Sequence, residues 1–227
     1  AAPPTLVGMH AGALIAGRYR LASPLGAGSM GQVWRARDER LEREVAIKVV
    51  DLASASGPVT ADQFRREVVA TAALNHPAIV TIFDGGIDGH VAFLVMELLA
   101  GESVAQRLAR GPLGVAEAMR AASEVARALE ATHGVGVVHR DIKPGNVMLL
   151  TGGGVKVLDF GIARLNGETD AGVRHVIGTA AYMSPEQAMG RHVGPPSDVY
   201  SLGCLIVTML AGRPPFVGIR ARPVRRG

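Results

Sequence analysis

The sequence predicts an α+β protein in which a mostly β segment precedes a mostly α segment, with the change near residue 100. Three observations carry that reading. Residues Tyr19 to Val50 show strand-like patterning broken by glycines and a charged turn. Residues Val115 to Thr132 are alanine-rich, with Met119, Ala122, Ala126 and Leu129 at helical spacing. The longest apolar run, Val199 to Leu210, is 12 residues, interrupted by Ser201, Gly203, Cys204 and Thr208. It is too short to span a bilayer and suits a buried helix.

Taken in order, residues 1–18 form a leader of small apolar residues with Pro3–Pro4 and no stable period. Gly26, Gly28 and Gly31 then punctuate one turn, and Asp38 to Glu44 reads as a charged hairpin connection. The strand Glu44–Val50 puts Ala46 and Lys48 on one face and Val45, Ile47 and Val49 on the other. Thr60 or Asp62 can cap a helix to about Leu74, with Phe64, Val68 and Ala72 apolar, ended by His76–Pro77. Strands are expected near Ile79–Phe83 and Val91–Glu97, with a break at Gly101. A short helix over Ser103–Arg110 and the long one from Val115 follow, then short strands at Val147–Leu150 and Val155–Leu158. No internal repeat or low-complexity block is present.

Composition narrows the function classes. A chain of 227 residues that is 48% hydrophobic and 19% charged has enough apolar material for a real core. One cysteine excludes a disulfide scaffold and a cysteine zinc cage; with no basic opening of a signal peptide, a cytoplasmic location is expected. The net charge of +4 owes much to Arg220, Arg222, Arg225 and Arg226 in the tail. With five Phe, three Tyr and one Trp to stack bases, nucleic acid is not an expected partner. Lysine is scarce: Lys48, Lys143 and Lys156 are the three present, so each is a candidate for a task needing a compact ammonium.

The segment Leu25-Gly26-Ala27-Gly28-Ser29-Met30-Gly31-Gln32-Val33 contains G-x-G-x-x-G, a pattern that is weak alone. A dinucleotide fingerprint needs a helix next, whereas a strand-like segment follows here, and no Gly-Lys-Ser/Thr makes a Walker loop. A glycine-rich hairpin lets backbone lie close over phosphate oxygens, where a Cβ would collide. Lys48 on its strand and Glu67 in mid-helix could pair, the carboxylate holding the ammonium toward phosphates; a surface salt bridge is the plain alternative. Further on stand His139-Arg140-Asp141-Ile142-Lys143-Pro144-Gly145-Asn146 and, 18 residues after Asp141, Asp159-Phe160-Gly161. Then come Gly178-Thr179-Ala180-Ala181-Tyr182-Met183-Ser184-Pro185-Glu186 and Asp198.

This ordered set resembles the protein kinases, specifically bacterial serine/threonine kinases of the eukaryotic-like type, over about residues 19–216. The resemblance implies a bilobal fold: a small antiparallel β N-lobe with one main helix (19–97) and a mainly α C-lobe (98–216). It implies transfer of the γ-phosphoryl of ATP to a protein hydroxyl, with Mg²⁺, or Mn²⁺ in its place, as the cation. Catalysis of that kind is mainly positioning and charge neutralisation. By the same resemblance Asp141 takes the proton of the substrate hydroxyl and Lys143 lies near the transferring phosphate. Lys48 and Glu67 form the phosphate-orienting pair, and Asn146 and Asp159 supply hard oxygens to the metal. Residues 25–33 cover the phosphates. Leu25, Val33, Ala46 and Met148 sandwich the adenine, Met96 is the gatekeeper, and Glu97 and Leu99 offer backbone groups to the purine edge. Lys143 two residues after Asp141, and Thr179, point to Ser/Thr rather than Tyr acceptors. His139, Phe160, Ile82 and Thr71 form the stack linking the lobes, Thr71 being polar where an aliphatic residue is usual. His133 and Cys204 read as core residues and Lys156 as an exposed strand residue.

Two departures from the family pattern stand out. Between Asp159 and Glu186 the serine and threonine hydroxyls are Thr169, Thr179 and Ser184, so loop phosphorylation is expected to be weak or confined to Thr169, with Arg140 paired to Asp170 or Glu168. After Phe216 the sequence turns to a basic stretch, 217–227, without the expected closing helices. Glu186 would then lack its usual buried arginine, and the helix bearing Leu202, Leu205, Ile206, Met209 and Leu210 would lose cover. Exposing ~400 Å² of apolar surface forgoes roughly 10 kcal/mol, comparable to the roughly 5–15 kcal/mol of a whole domain. Marginal stability or self-association through that face is therefore expected. The competing readings are a weakly active or inactive fragment that binds nucleotide or acts as a scaffold, and a small-molecule phosphotransferase. The second lacks the Gly-Thr…Ser-Pro-Glu docking segment.

Overall fold

The computed structural model describes residues 9–28, 31–52, 68, 72, 74–159 and 180–216. It divides into two compact units, the first running through Ala100 and the second beginning at Gly101.

The first unit is an antiparallel sheet of six strands in the order β1-β2-β3-β4-β6-β5. They are β1 (Leu14–Ile15), β2 (Tyr19–Gly28), β3 (Gly31–Asp38), β4 (Arg43–Asp51), β5 (Ile82–Asp88) and β6 (Val91–Met96). One face carries the core: Tyr19, Leu21, Trp34, Ala36, Val45, Ile47, Val49, Val91, Phe93 and Val95 pack in one cluster with Ile15. The alternation expected in β4 is what the sheet uses, since Val45, Ile47 and Val49 enter that cluster while Ala46 and Lys48 do not. Strand β5 runs over Ile82–Asp88 rather than Ile79–Phe83. Gly85 and Gly86 lie within it, paired with Leu94 and Phe93. A Cβ on Gly86 would stand 2.9 Å from Cζ of Phe93, so the glycine gives the ring its room.

One polar cluster ties the start of β2 to the far edge of the sheet. Arg18 donates from Nε and Nη2 to the two oxygens of Asp38 at 2.8 and 2.7 Å, and from Nη1 to Asp84 at 3.1 Å. The Tyr19 hydroxyl donates to the same Asp84 oxygen, at 2.5 Å. Asp38 also accepts from the backbone N–H groups of Arg40 and Leu41, which closes the β3–β4 turn. The Arg18 hydrogen bonds hold the Asp38 carboxyl below its ordinary pKa.

The second unit pairs β7 (Gly101–Ser103), β8 (Val147–Leu150) and β9 (Val155–Val157) in a small antiparallel sheet. Its helices are α1 (Val104–Leu108), α2 (Val115–Gly134), α3 (Pro185–Ala188) and α4 (Pro195–Ala211). Helix α1 is started by a capping box, with Ser103 and Gln106 bonding each other's backbone. On α2 the buried stripe is Ala118, Ala121, Ala122, Val125, Ala128, Leu129 and Thr132, rotated from the expected one: Met119 and Ala126 are exposed. Alanines on every side of this helix give hydrophobic periodicity little contrast to read. Helix α4 begins at Pro195 rather than Val199, because two prolines fit a first helical turn whose N–H groups lack helical partners anyway. Gly212, at φ 73°, ends it. On α4, Leu202, Leu205 and Met209 are buried, whereas Val199, Val207 and Leu210 are exposed. Cys204 is buried as expected, and Lys156 is half-buried rather than exposed.

Candidate active site

In the first unit, sheet register gathers the candidate nucleotide-contacting residues on the face opposite the core. Val33 pairs with Lys48 and Lys48 with Leu94; two rungs away, Arg35 pairs with Ala46 and Ala46 with Met96. Directly paired residues, and residues two apart on a strand, share a face. Val33, Ala46, Lys48 and Met96 therefore stand together. Gly26 pairs with Val33, Ala27 with Gln32 and Gly28 with Gly31, so the glycine-rich segment is a β2–β3 hairpin, as its sequence context indicated. Gly31 sits at φ 124°, and a Cβ there would come within 2.1 Å of the Val49 carbonyl oxygen; only glycine fits. Leu25 is exposed, and Lys48 is 5% exposed. Beyond β6, the Glu97 N–H donates to the Thr81 carbonyl at 3.0 Å, and its Oε1 accepts from the Thr81 N–H at 2.7 Å. Leu99 is half-buried. Ser29, Met30, Glu67, Thr71, Phe160, residues 168–170 and Thr179 lie outside the described residues, as does residue 217 onward.

In the second unit, the loop 139–146 concentrates chemistry on one carboxylate. Lys143 Nζ donates to Asp141 Oδ2 at 2.6 Å. Asn146 Nδ2 donates to the same oxygen at 2.9 Å and to the Asp141 backbone carbonyl at 2.8 Å. The turn that allows this is a short 3₁₀ segment, Pro144–Asn146, with Pro144 at its start. With its Nδ2 turned to Asp141, Asn146 has its amide Oδ1 as the atom for a cation. The Asn146 carbonyl accepts the Leu158 N–H at 2.9 Å, which brings Asp159, half-buried, beside it. An amide oxygen and a carboxylate are the hard donors that a small divalent cation prefers, so these residues fit that role. Met148, half-buried on β8, and His139, fully buried, belong to the same unit. His139 accepts the Asp141 N–H on Nδ1 at 3.2 Å, and its Nε2 donates to the Leu158 carbonyl at 2.8 Å.

The loop is strained where it matters. Arg140 has φ 69° and Asp159 φ 59°, in the left-handed region that non-glycine residues seldom occupy. Such a residue costs on the order of 1–3 kcal/mol and persists only when its surroundings fix it. Asp198, fully buried on α4, supplies that fixing: Oδ2 accepts from the His139 N–H at 2.8 Å and Oδ1 from the Arg140 N–H at 2.7 Å. His133 Nε2 also lies 2.8 Å from Asp198 Oδ2, so a residue expected to be plain core is part of the anchor. Sequence reasoning noted Asp198 without giving it a role. Its contacts lie 58 and 59 residues away in the chain, beyond the reach of any periodic pattern.

Glu186 is not left bare. Ser197 donates its hydroxyl to Glu186 Oε1, and this bond is the main reason the Glu186 carboxyl lies below its ordinary pKa. The sequence expectation was that Glu186 lacks its usual buried arginine, and it did not foresee the nearby serine.

A known family matches this arrangement: the protein kinase domain, over residues 19–225. The chain belongs to the protein kinase domain family. The match runs past residue 216, where the sequence reading ends the resemblance. A probable serine/threonine-protein kinase of Streptomyces coelicolor is 45% identical over 212 residues, which cover 90% of this chain and 32% of that protein. The serine/threonine-protein kinase PknA of Mycobacterium tuberculosis is 44% identical over 216 residues, 91% of this chain and 50% of PknA. The chain thus spans half or less of the length of these relatives. Among solved structures, the kinase domain of Mycobacterium tuberculosis PknI superposes with a TM-score of 0.77 at 29% identity, covering 92% of this chain and 80% of that domain. Family membership implies ATP and a divalent cation in general terms. No helix among the described residues is long and apolar enough to cross a membrane.

Proposed function

We propose that this protein kinase domain transfers the γ-phosphoryl of ATP to a serine or threonine hydroxyl of a protein substrate, with Mg²⁺ as the cation. One observation carries the proposal: a single carboxylate, Asp141, receives Lys143 and Asn146 on the same oxygen while the residue before it is held in a strained conformation by Asp198. Both donors take Oδ2, which leaves Oδ1 to receive the acceptor hydroxyl. The hydroxyl oxygen bonds to the γ-phosphorus as the bond to the ADP oxygen breaks, and the hydroxyl proton passes to Asp141. Lys143, 2.6 Å from Asp141, can follow the phosphoryl oxygens without leaving the loop. A metal held by Asn146 and Asp159 would neutralise phosphate charge.

In the other unit, Lys48 pairs with the α- and β-phosphates, and residues 25–33 lie over them. Val33, Ala46 and Met148 contact the adenine, with Leu25 as an outer flap and Met96 behind. Glu97 spends its N–H on Thr81, so its offer to the purine is the carbonyl; Leu99 supplies the second backbone contact. Glu67 orients Lys48, and Thr169, Thr179 and Glu186 belong to the substrate-docking segment. The serine/threonine preference rests on Lys143 and Thr179, and on the names of the relatives. One buried free cysteine, Cys204, suits the reducing cytoplasm.

The test is transfer of radiolabel from γ-labelled ATP with Mg²⁺ to dephosphorylated casein, comparing the wild type with Asp141→Asn. Removing a general base costs about 10²- to 10⁴-fold, so the variant should retain under about a hundredth of the rate, and the label should be alkali-labile, as on serine or threonine. Equal labelling by both proteins would overturn the proposal, and only if both stay at background would a scaffold be the reading left.

A further inference from the structure

We infer that Gln187 is a positioning residue for phosphoryl transfer, acting through the backbone carbonyl of Arg140; the inference rests on the kinase reading above. Arg140 is the strained residue before Asp141, and its peptide groups are gripped at both ends by side chains. Its N–H donates to Asp198 Oδ1 at 2.7 Å, and its carbonyl accepts from Gln187 Nε2 at 2.8 Å. The partner at one end comes from α4 and at the other from α3. A residue at φ 69° relaxes by turning its flanking peptides, and turning the 140–141 peptide would swing Asp141. Gln187 is the side chain that opposes this turn from the carbonyl side.

Gln187 is itself held. Its Oε1 accepts from the Ser184 N–H at 3.0 Å and its backbone N–H donates to Ser184 Oγ at 3.4 Å, forming the capping box of α3. The segment just before is pinned to α4: Ser201 Oγ donates to the Tyr182 carbonyl at 2.7 Å, and Ser197 donates to Glu186. Arg140, Asp141 and Ile142 also share a small cavity with Tyr182, Met183 and Ser201. The 182–187 segment and the catalytic loop are therefore one hydrogen-bonded assembly, and Gln187 is a direct side-chain link between them. The sequence signal for it was present but local. Ser-Pro-Glu-Gln reads as a helix start, which explains the Oε1 bond and is silent about Nε2.

A capping role and a positioning role use different atoms of one amide, so they can be separated. Gln187→Glu keeps the acceptor for Ser184 and replaces the donor to Arg140 with a second acceptor. Gln187→Lys keeps a donor and loses the acceptor. Positioning predicts that kcat falls about tenfold in the Glu variant, equivalent to about 1.4 kcal/mol, and less in the Lys variant, with KM for ATP within about twofold of wild type in both. Hydrogen exchange of the Asp141 and Ile142 amides should also quicken in the Glu variant. If capping is the whole role, the order reverses: Glu behaves as wild type and Lys is the damaged protein. That order, or unchanged kcat in the Glu variant while Asp141→Asn is inactive, overturns the inference. If the wild type transfers no more label than Asp141→Asn, the kinase reading fails instead. The exchange measurement then still decides whether Gln187 holds the loop, and unchanged exchange in the Glu variant overturns that too.

Discussion

Lys48 and Asp141 are positioned by opposite means. Lys48 sits in the middle of β4, paired with Val33 on one side and Leu94 on the other, so its place follows from ladder register and from the core packed beneath its neighbours Ile47 and Val49. Asp141 sits in a loop whose preceding backbone is bonded by side chains: Asp198 on the His139 and Arg140 amides, and Gln187 on the Arg140 carbonyl. Many small, redundant backbone interactions hold the first. A few indispensable ones hold the second. Redundancy tolerates substitution, whereas a loop held by one buried carboxylate fails when that carboxylate is lost.

The sharpest way to break this contrast is Asp198→Ala. It removes the Asp198 acceptor from the buried His139 N–H and the part-buried Arg140 N–H, each at roughly 1–3 kcal/mol, and loosens the strained residue next to Asp141. Urea unfolding should show a loss of roughly 2–5 kcal/mol, and phosphotransfer should fall below detection. A variant that keeps both stability and activity would mean the loop holds itself.

A smaller effect is expected from the sheet side. The Asp38 carboxyl is held below its ordinary value chiefly by the Arg18 hydrogen bonds, so its contribution to stability is complete above the unfolded-state pKa of about 3.9. That contribution is lost as pH falls through the lower, folded-state value. Arg18→Met should therefore be less stable than wild type in urea at pH 7, and the gap between the two should narrow below about pH 4. Kinase activity at pH 7 should persist, because Arg18 is remote in register from Val33, Ala46 and Lys48. A constant gap across pH would assign the effect to packing of Arg18 on the Tyr19 ring, 4.8 Å from its centroid.

What the sequence made legible follows the same division. Period-two alternation separated the two faces of β4, because a strand's faces are written in adjacent residues. The turn-rich start and the hairpin nature of residues 25–33 were readable for the same reason. The alanine-rich α2 hid its own buried stripe, and the strand expected near Ile79–Phe83 lies at Ile82–Asp88, across Gly85–Gly86; neither stretch offers contrast in side-chain size. Asp141, Lys143, Asn146 and Asp159 were singled out as candidates by the order and spacing of their motifs rather than by periodicity. His133, bonded to the Asp198 anchor, and Gln187, bonded to the Arg140 carbonyl, were not foreseen: each makes its decisive bond to a residue far along the chain.

The central proposal is that Lys48 of the first unit and Asp141, Asn146 and Asp159 of the second serve one triphosphate. A crystal structure of the chain with a non-hydrolysable ATP analogue and Mg²⁺ tests it most directly. The account predicts Lys48 Nζ on the α- or β-phosphate oxygens, and Asn146 Oδ1 and an Asp159 oxygen on the metal at about 2.0–2.1 Å. A nucleotide bound with Lys48 turned away from its phosphates, or a metal bound without Asn146 and Asp159, would contradict it.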